Sequence, residues 1–188
     1  MRLASKIKKG VGIDLEPSMI TLANKNKKNR DIKNITFKIM DSDKLNFPAN
    51  SFDVVTVKHS PINFKKIYHI LKPGGILITQ QVHETDKYNL KQAFKRGQNF
   101  NVKAGKLLKQ YKQQAKQAGF NNIKTDISNM PYYFVSKNKL QEYLISSPVV
   151  PDYGRKNDKI IFENFSNKNK TNKGIRSNTS RFFMEMKK

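Results

Sequence analysis

Four short apolar runs dominate the first half of this chain: residues 11–15, 35–40, 52–57 and 76–82. Each is too short for a helix and is bounded by polar or turn-forming residues, so each reads as a buried strand. Between them lie segments whose apolar residues recur three and four apart. Met19, Ile20 and Ala23 form one such face, and Phe64, Ile67, Tyr68 and Leu71 another. Strands that alternate with helices in this way pair side by side in a parallel sheet, because parallel neighbours need a crossover connection. The expected class is therefore α/β, in one domain over the 188 residues.

Punctuation residues sharpen the boundaries. Pro17 suits the first turn of a helix, where its missing N–H is not needed. The sequence KPGG at 72–75 stops a helix. Residues 2–9 read as the last turns of a helix. Leu107, Leu108, Tyr111, Ala115 and Ala118 mark a further helix closed by Gly119, and residues 123–127 a fifth strand. Ser136 caps a short helix. Residues 83–103 are polar and give no assignment. The segment 146–179, rich in Pro, Asn and Lys, reads as a loop over the sheet. Residues 181–186 read as a last edge strand.

The formal net charge of +23 favours polyanions such as RNA, or an anionic membrane surface. The lysines are spread along the whole chain rather than gathered in a block, which favours solvated faces instead. The absence of cysteine excludes disulfides, thiolate zinc sites and thiol catalysis. No apolar run approaches a membrane span, and the basic start lacks an apolar signal core. A cytoplasmic protein without a membrane partner is expected.

In an open parallel sheet, ligands sit beyond the C-terminal ends of the strands. That rule selects Asp14 after the first strand, Asp41 and Ser42 after the second, and Lys58, His59 and Ser60 after the third. A carboxylate at the first position can accept hydrogen bonds from two ribose hydroxyls, and one at the second from an adenine amino group. Leu15 and Met19 can flank the ring. A lone Asp at a strand end is more often a cap or turn residue; two at adjacent strand ends favour a site. His59 titrates near neutrality and is a weak candidate base, against the plainer reading of a loop histidine. Gln80 and Gln81 end the fourth strand at the same rim. Tyr132, Tyr133 and Phe134 can stack on a base or pack in the core, and the lysines of 168–173 can meet phosphates or solvent. His69 and His83 show no metal spacing.

The stretches GIDLEPSMITLA, DSDKLNFPANSFDVV and ILKPGGILIT, in that order, resemble the class I S-adenosylmethionine-dependent methyltransferases. The ending SNTSRFFMEMKK is similar to the final strand of one bacterial branch. The resemblance implies a Rossmann-like sheet, mostly parallel with an antiparallel C-terminal edge strand, and S-adenosyl-L-methionine as cofactor. It implies that Asp14 binds the ribose, that Leu15 and Met19 meet the adenine, and that Asp41, with Ser42 beside it, meets the adenine amino group. Lys58 and His59 would lie near the methyl donor, with His59, Ser60, Gln80 and Gln81 on the acceptor side. The acceptor itself, a small molecule or a nucleic acid, and the oligomeric state are not implied.

The family pattern begins with a strand and a glycine-rich turn. Gly10 and Gly12 precede a strand rather than follow one, so they cannot form that turn. The sheet is therefore expected to lack its first central strand, between the runs at 11 and 52. The expectation is a truncated methyltransferase domain, a weak binder and of doubtful activity. A non-catalytic RNA-binding protein is the competing reading. A nicotinamide dehydrogenase lacks any hydride-transfer constellation.

Overall fold

The computed structural model describes residues 4–188. After a single 3-10 turn at Ala4–Lys6 come β1 (Gly10–Asp14), α1 (Pro17–Lys28), β2 (Ile35–Ile39), β3 (Phe52–Lys58), α2 (Phe64–Ile70) and β4 (Leu71–Val82). The second half holds α3 (Tyr88–Phe94), α4 (Lys106–Gln117), β5 (Asn121–Phe134), α5 (Lys137–Ser146), α6 (Asp158–Lys168), β6 (Lys170–Thr171) and β7 (Gly174–Lys187). Pro17 starts α1 as expected, and Lys25, Lys27 and Lys28 fill its last turn, where cations favour the negative helix end. Ser136 caps α5 by accepting from the Lys139 N–H. Gly119 follows α4 with φ +101°, and a β-carbon there would meet the Tyr68 ring at 2.9 Å.

The strands form two sheets. β1 and β2 pair in parallel, from Gly10 opposite Ile35 to Asp14 opposite Ile39. The other sheet has the order β3-β4-β7-β5, with β6 also on β7. Its β3–β4 pair is parallel, whereas β7 runs antiparallel to β4, β5 and β6. No strand among the described residues joins β1 to β3, so the sheet is interrupted where the sequence places its discontinuity.

Several expectations are corrected. The last strand is no edge: β7 lies between β4 and β5, and β5 is the edge strand. The sheet is thus mixed rather than mostly parallel. The fifth strand runs 14 residues and includes Pro131, which an edge strand tolerates. The loop expected at 146–179 contains α6, β6 and the start of β7. Phe162 and Phe165, three apart, bury one face of α6 beneath its polar surface. The segment 83–103 likewise contains α3, which buries Leu90 and Phe94, four apart. Of the helix tail expected at 2–9, residues 4–6 form the 3-10 turn, and residues 2 and 3 lie outside the described residues.

Two hydrophobic clusters hold the larger sheet. One packs Phe64, Ile67 and Ala115 of α2 and α4 onto Leu77, Phe182, Met184 and Met186 of β4 and β7. The other gathers α3, α5 and α6 around Phe134 and Ile175 at the far ends of β5 and β7. The N-terminal unit is thinner: Ile20 is the only buried hydrophobic side chain among residues 4–63. No helix among the described residues is long and apolar enough to cross a membrane.

Phe182 is fully buried and meets the Tyr111 ring edge-on at 5.4 Å. Phe182→Ala is expected to cost about 3–5 kcal/mol in urea unfolding. The same truncation at exposed Ile145 should cost less than about 0.5 kcal/mol. Similar losses at both positions would contradict this placement of the core.

Candidate active site

The C-terminal ends of β1, β2, β3 and β4 carry the candidate residues. Asp14 closes β1; its carboxylate accepts the Glu16 N–H at 2.9 Å, and its carbonyl accepts the Met40 N–H at 3.0 Å. This second bond sets the exit of β2 beside that of β1. Asp41 follows and caps a 3-10 turn by accepting the Asp43 N–H at 2.9 Å. Each of the two acids therefore uses one carboxylate oxygen, Oδ1, to shape its own turn, and the other has no hydrogen-bond partner among the described residues. Leu15 is 63% exposed and Met19 50% exposed, at the entry to α1. Large apolar side chains left uncovered beside two carboxylates are the unusual feature of this rim.

The exits of β2 and β3 meet directly. The hydroxyls of Ser42 and Ser60 lie 3.3 Å apart. Gln81 is buried; its amide donates to the Ser60 carbonyl at 3.0 Å and to Thr79 Oγ1 at 2.9 Å. It therefore fixes the turn after β3 and is not displayed on the rim. Gln80, on the opposite face of β4, has its amide nitrogen 3.3 Å from His59 Nε2. Lys58 and His59 are exposed. Partial burial, then Arg181 and Lys58, push the His59 imidazole below its ordinary pKa, with Asp86 opposing.

Behind this rim lies a cluster of buried charges that the sequence did not point to. Asp86 accepts from Arg181 Nη1 at 2.6 Å and from the Ser180 N–H at 2.7 Å. Lys87 sits 3.8 Å from Asp86, donates to the Asn178 carbonyl, and lies 4.2 Å from the centre of the Tyr132 ring. Tyr132 is thus part of β5, exposed on one side and beneath a cation on the other, while Phe134 enters the core. Glu84 accepts the N–H groups of Gly105 and Leu107, which anchors the start of α4. Lys91, 1% exposed, donates to the carbonyls of Glu84 and Gln98 at 2.6 and 2.9 Å. Burial pushes the amines of Lys87 and Lys91 below the ordinary lysine range. No periodicity marks these residues, since buried lysines and acids look like surface ones in a sequence.

Other places are poorer candidates. A groove of about 570 Å³ along α4 is lined by Lys109, Lys112 and Lys116 among others and by none of the strand-end candidates. Among the described residues no group of three or more His, Asp or Glu is placed to hold a metal ion. Of the lysines of 168–173, Lys168 ends α6, Lys170 lies in β6 and Lys173 in the β6–β7 turn.

A family model described as a methyltransferase domain matches residues 1–106, more than half of the chain. The chain belongs to the methyltransferase domain family. It is similar to aklanonic acid methyltransferase DauC of Streptomyces sp. strain C5, at 43% identity over 51 residues. It is also similar to the demethylmenaquinone methyltransferase of Lactococcus lactis, at 32% identity over 93 residues. These alignments cover 27% and 46% of this chain, and only 23% and 37% of the two relatives. Among solved structures, YcgJ of Bacillus subtilis superposes with a TM-score of 0.69 at 12% identity, over 99% of this chain and 85% of that one. A phosphoethanolamine N-methyltransferase of Haemonchus contortus, solved with S-adenosylhomocysteine and phosphomonomethylethanolamine, gives 0.57 at 19% identity, over 100% and 45%. These superpositions establish the fold.

Lys91→Met leaves two carbonyls unpaired and should cost about 1–3 kcal/mol in urea unfolding. The difference should also depend on pH. A lysine whose folded pKa lies below its unfolded value of about 10.4 binds fewer protons when folded, so wild-type stability rises with pH between the two values. The gap between wild type and variant should therefore widen towards pH 10. A gap that is constant from pH 7 to 10 would show that Lys91 is not held against its charge.

Proposed function

We propose that this chain is an S-adenosylmethionine-dependent methyltransferase, with the cofactor at the exits of β1 and β2 and the methyl acceptor at the exits of β3 and β4. The observation that carries this reading is the pair of half-free carboxylates, Asp14 and Asp41, beside the uncovered Leu15 and Met19. That combination suits an adenosine group. Asp14 would hold the ribose hydroxyls, Leu15 and Met19 would flank the adenine, and Asp41 and Ser42 would take its amino edge. The Ser42–Ser60 contact supports placing the acceptor rim of Lys58, His59, Ser60 and Gln80 next to this site.

Bound S-adenosylmethionine supplies a methyl group already activated by its sulfonium. What remains for the protein is to hold the two partners in line, so no general base is obligatory. Lys58 brings positive charge to the acceptor rim. Gln81 acts from behind, fixing the Ser60 turn. No glycine-rich turn follows a strand exit at this rim among the described residues. The likenesses to DauC and to the demethylmenaquinone enzyme favour a small-molecule acceptor over a nucleic acid. The cysteine-free composition supports a cytoplasmic site of action.

Asp14→Asn keeps the shape but removes the charge of the ribose acceptor. Loss of a charge-assisted pair is worth roughly 1.5–3 kcal/mol, or about 10- to 100-fold in Kd. Calorimetric titration with S-adenosylmethionine should show that loss, while Asp31→Asn, at an exposed turn, should leave binding unchanged. Equal affinity for Asp14→Asn and wild type would remove the ribose from this position.

A further inference from the structure

His59 opens the turn after β3 with φ +53°, and its N–H donates to the Gln80 carbonyl at 3.0 Å. A left-handed backbone is strained at a non-glycine residue and persists where the surroundings over-determine it. The side chain shows what does so. Its Nε2 lies 3.1 Å from Arg181 Nε. An arginine Nε always carries hydrogen, so the imidazole Nε2 must accept. Arg181 is itself fixed, because Nη1 donates to Asp86 Oδ1 at 2.6 Å and to the Ser180 carbonyl at 2.8 Å. A neutral imidazole has one N–H and one bare nitrogen. With Nε2 bare, the proton sits on Nδ1, which has no partner among the described residues.

We propose that Arg181, anchored by Asp86, is a positioning residue that fixes His59 as the Nδ1–H tautomer, so that His59 donates a hydrogen bond to the methyl acceptor instead of taking its proton. This rests on the proposed function, which puts the acceptor at this rim. The acceptor must then present a lone pair, on oxygen or nitrogen, to Nδ1–H, and its own proton leaves to solvent or to a group other than His59. The charged groups facing the imidazole are Lys58 from β3, Arg181 from β7 and Asp86 from the segment after β4; Gln80 on β4 is neutral. Two cations against one carboxylate disfavour the imidazolium. The arrangement therefore holds at and above neutral pH. It is lost as pH falls through the lowered His59 pKa, when Nε2 gains a proton and can no longer accept from Arg181.

The test is a 15N spectrum of the whole chain labelled at its three histidines, with His59→Gln identifying the signals of interest. The expected result is a protonated-type Nδ1 and a bare-type Nε2, with a pKa below about 6.5. Arg181→Lys keeps the charge but cannot reach both Asp86 and Nε2 with a flat pair of donors. It should shift the tautomer towards Nε2–H while the pKa stays low. Arg181→Gln removes the charge and should bring the pKa up towards the ordinary value. An Nε2–H tautomer in the wild type overturns the proposal, as does an unchanged tautomer in folded Arg181→Lys. If both variants unfold, the wild-type tautomer alone decides. None of this requires bound cofactor, so a chain with the Nδ1–H tautomer that fails to bind S-adenosylmethionine would overturn the methyltransferase reading, and the donor role of His59 with it, while leaving the positioning by Arg181 standing.

Discussion

The antiparallel insertion of β7 between β4 and β5 is the constraint on which the rest of this structure depends. Its alternate residues Phe182, Met184 and Met186 enter the cluster under α2 and α4, and Ile175 enters the cluster under α5 and α6. Neither cluster is complete without it. Between these stretches the strand turns polar, and there Ser180 and Arg181 meet Asp86. One strand thus supplies apolar anchors at both ends and the charged support of the rim in the middle. Hydrogen-bonded strands on both sides give it little freedom to shift register, since a slip of one residue would exchange its faces.

The rim has two halves of different character. At β1 and β2 it consists of an exposed carboxylate, Asp14, a half-buried one, Asp41, and uncovered apolar side chains on a thin support. At β3 and β4 it is backed by buried ion pairs, a fixed arginine and a glutamine locked into the turn it supports. Electrostatic preorganisation of this kind orients groups without needing them to move when a ligand arrives. The division matches the two tasks assigned to them. Recognition of an adenosine group needs accessible hydrogen-bond acceptors and a ring-sized apolar surface. Alignment of a methyl acceptor needs rigid geometry.

Much of the first half of this fold was legible because its signals are local. Short β-branched runs, Pro17 and the KPGG turn fix β1, α1, β2, β3 and the end of α2 within a residue or so. The strand-end rule then picked out the carboxylates and the Ser60 turn. What was not legible is non-local. The mostly polar stretch 174–180 pairs with β5 and β6 and exchanges hydrogen bonds with the segment after β4, and nothing in its own pattern distinguishes that from a loop. Lys91 looks like a solvent-facing residue of α3, yet it is buried, with its amine held by the carbonyls of Glu84 and Gln98 from the segments on either side of that helix. The fifth strand, expected over 123–127, continues through Pro131 to Phe134, because on an edge the missing N–H does no harm. In α6 the spacing of Phe162 and Phe165 was present and was masked by the lysines and asparagines around it.

The thin packing of the N-terminal unit has a consequence for how the molecule opens. With Ile20 as its only buried hydrophobic side chain, the β1–α1–β2 segment gains little from apolar burial, whereas β4 and β7 sit at the centre of the main cluster. Local opening costs least where few apolar contacts are broken. Amide hydrogens of β1 and β2 should then exchange with solvent well before those of β4 and β7, through a partial opening that leaves the larger sheet intact. A ligand that bridges Asp14 and Asp41 would close that route, so its binding free energy would appear as slowed exchange in these two strands.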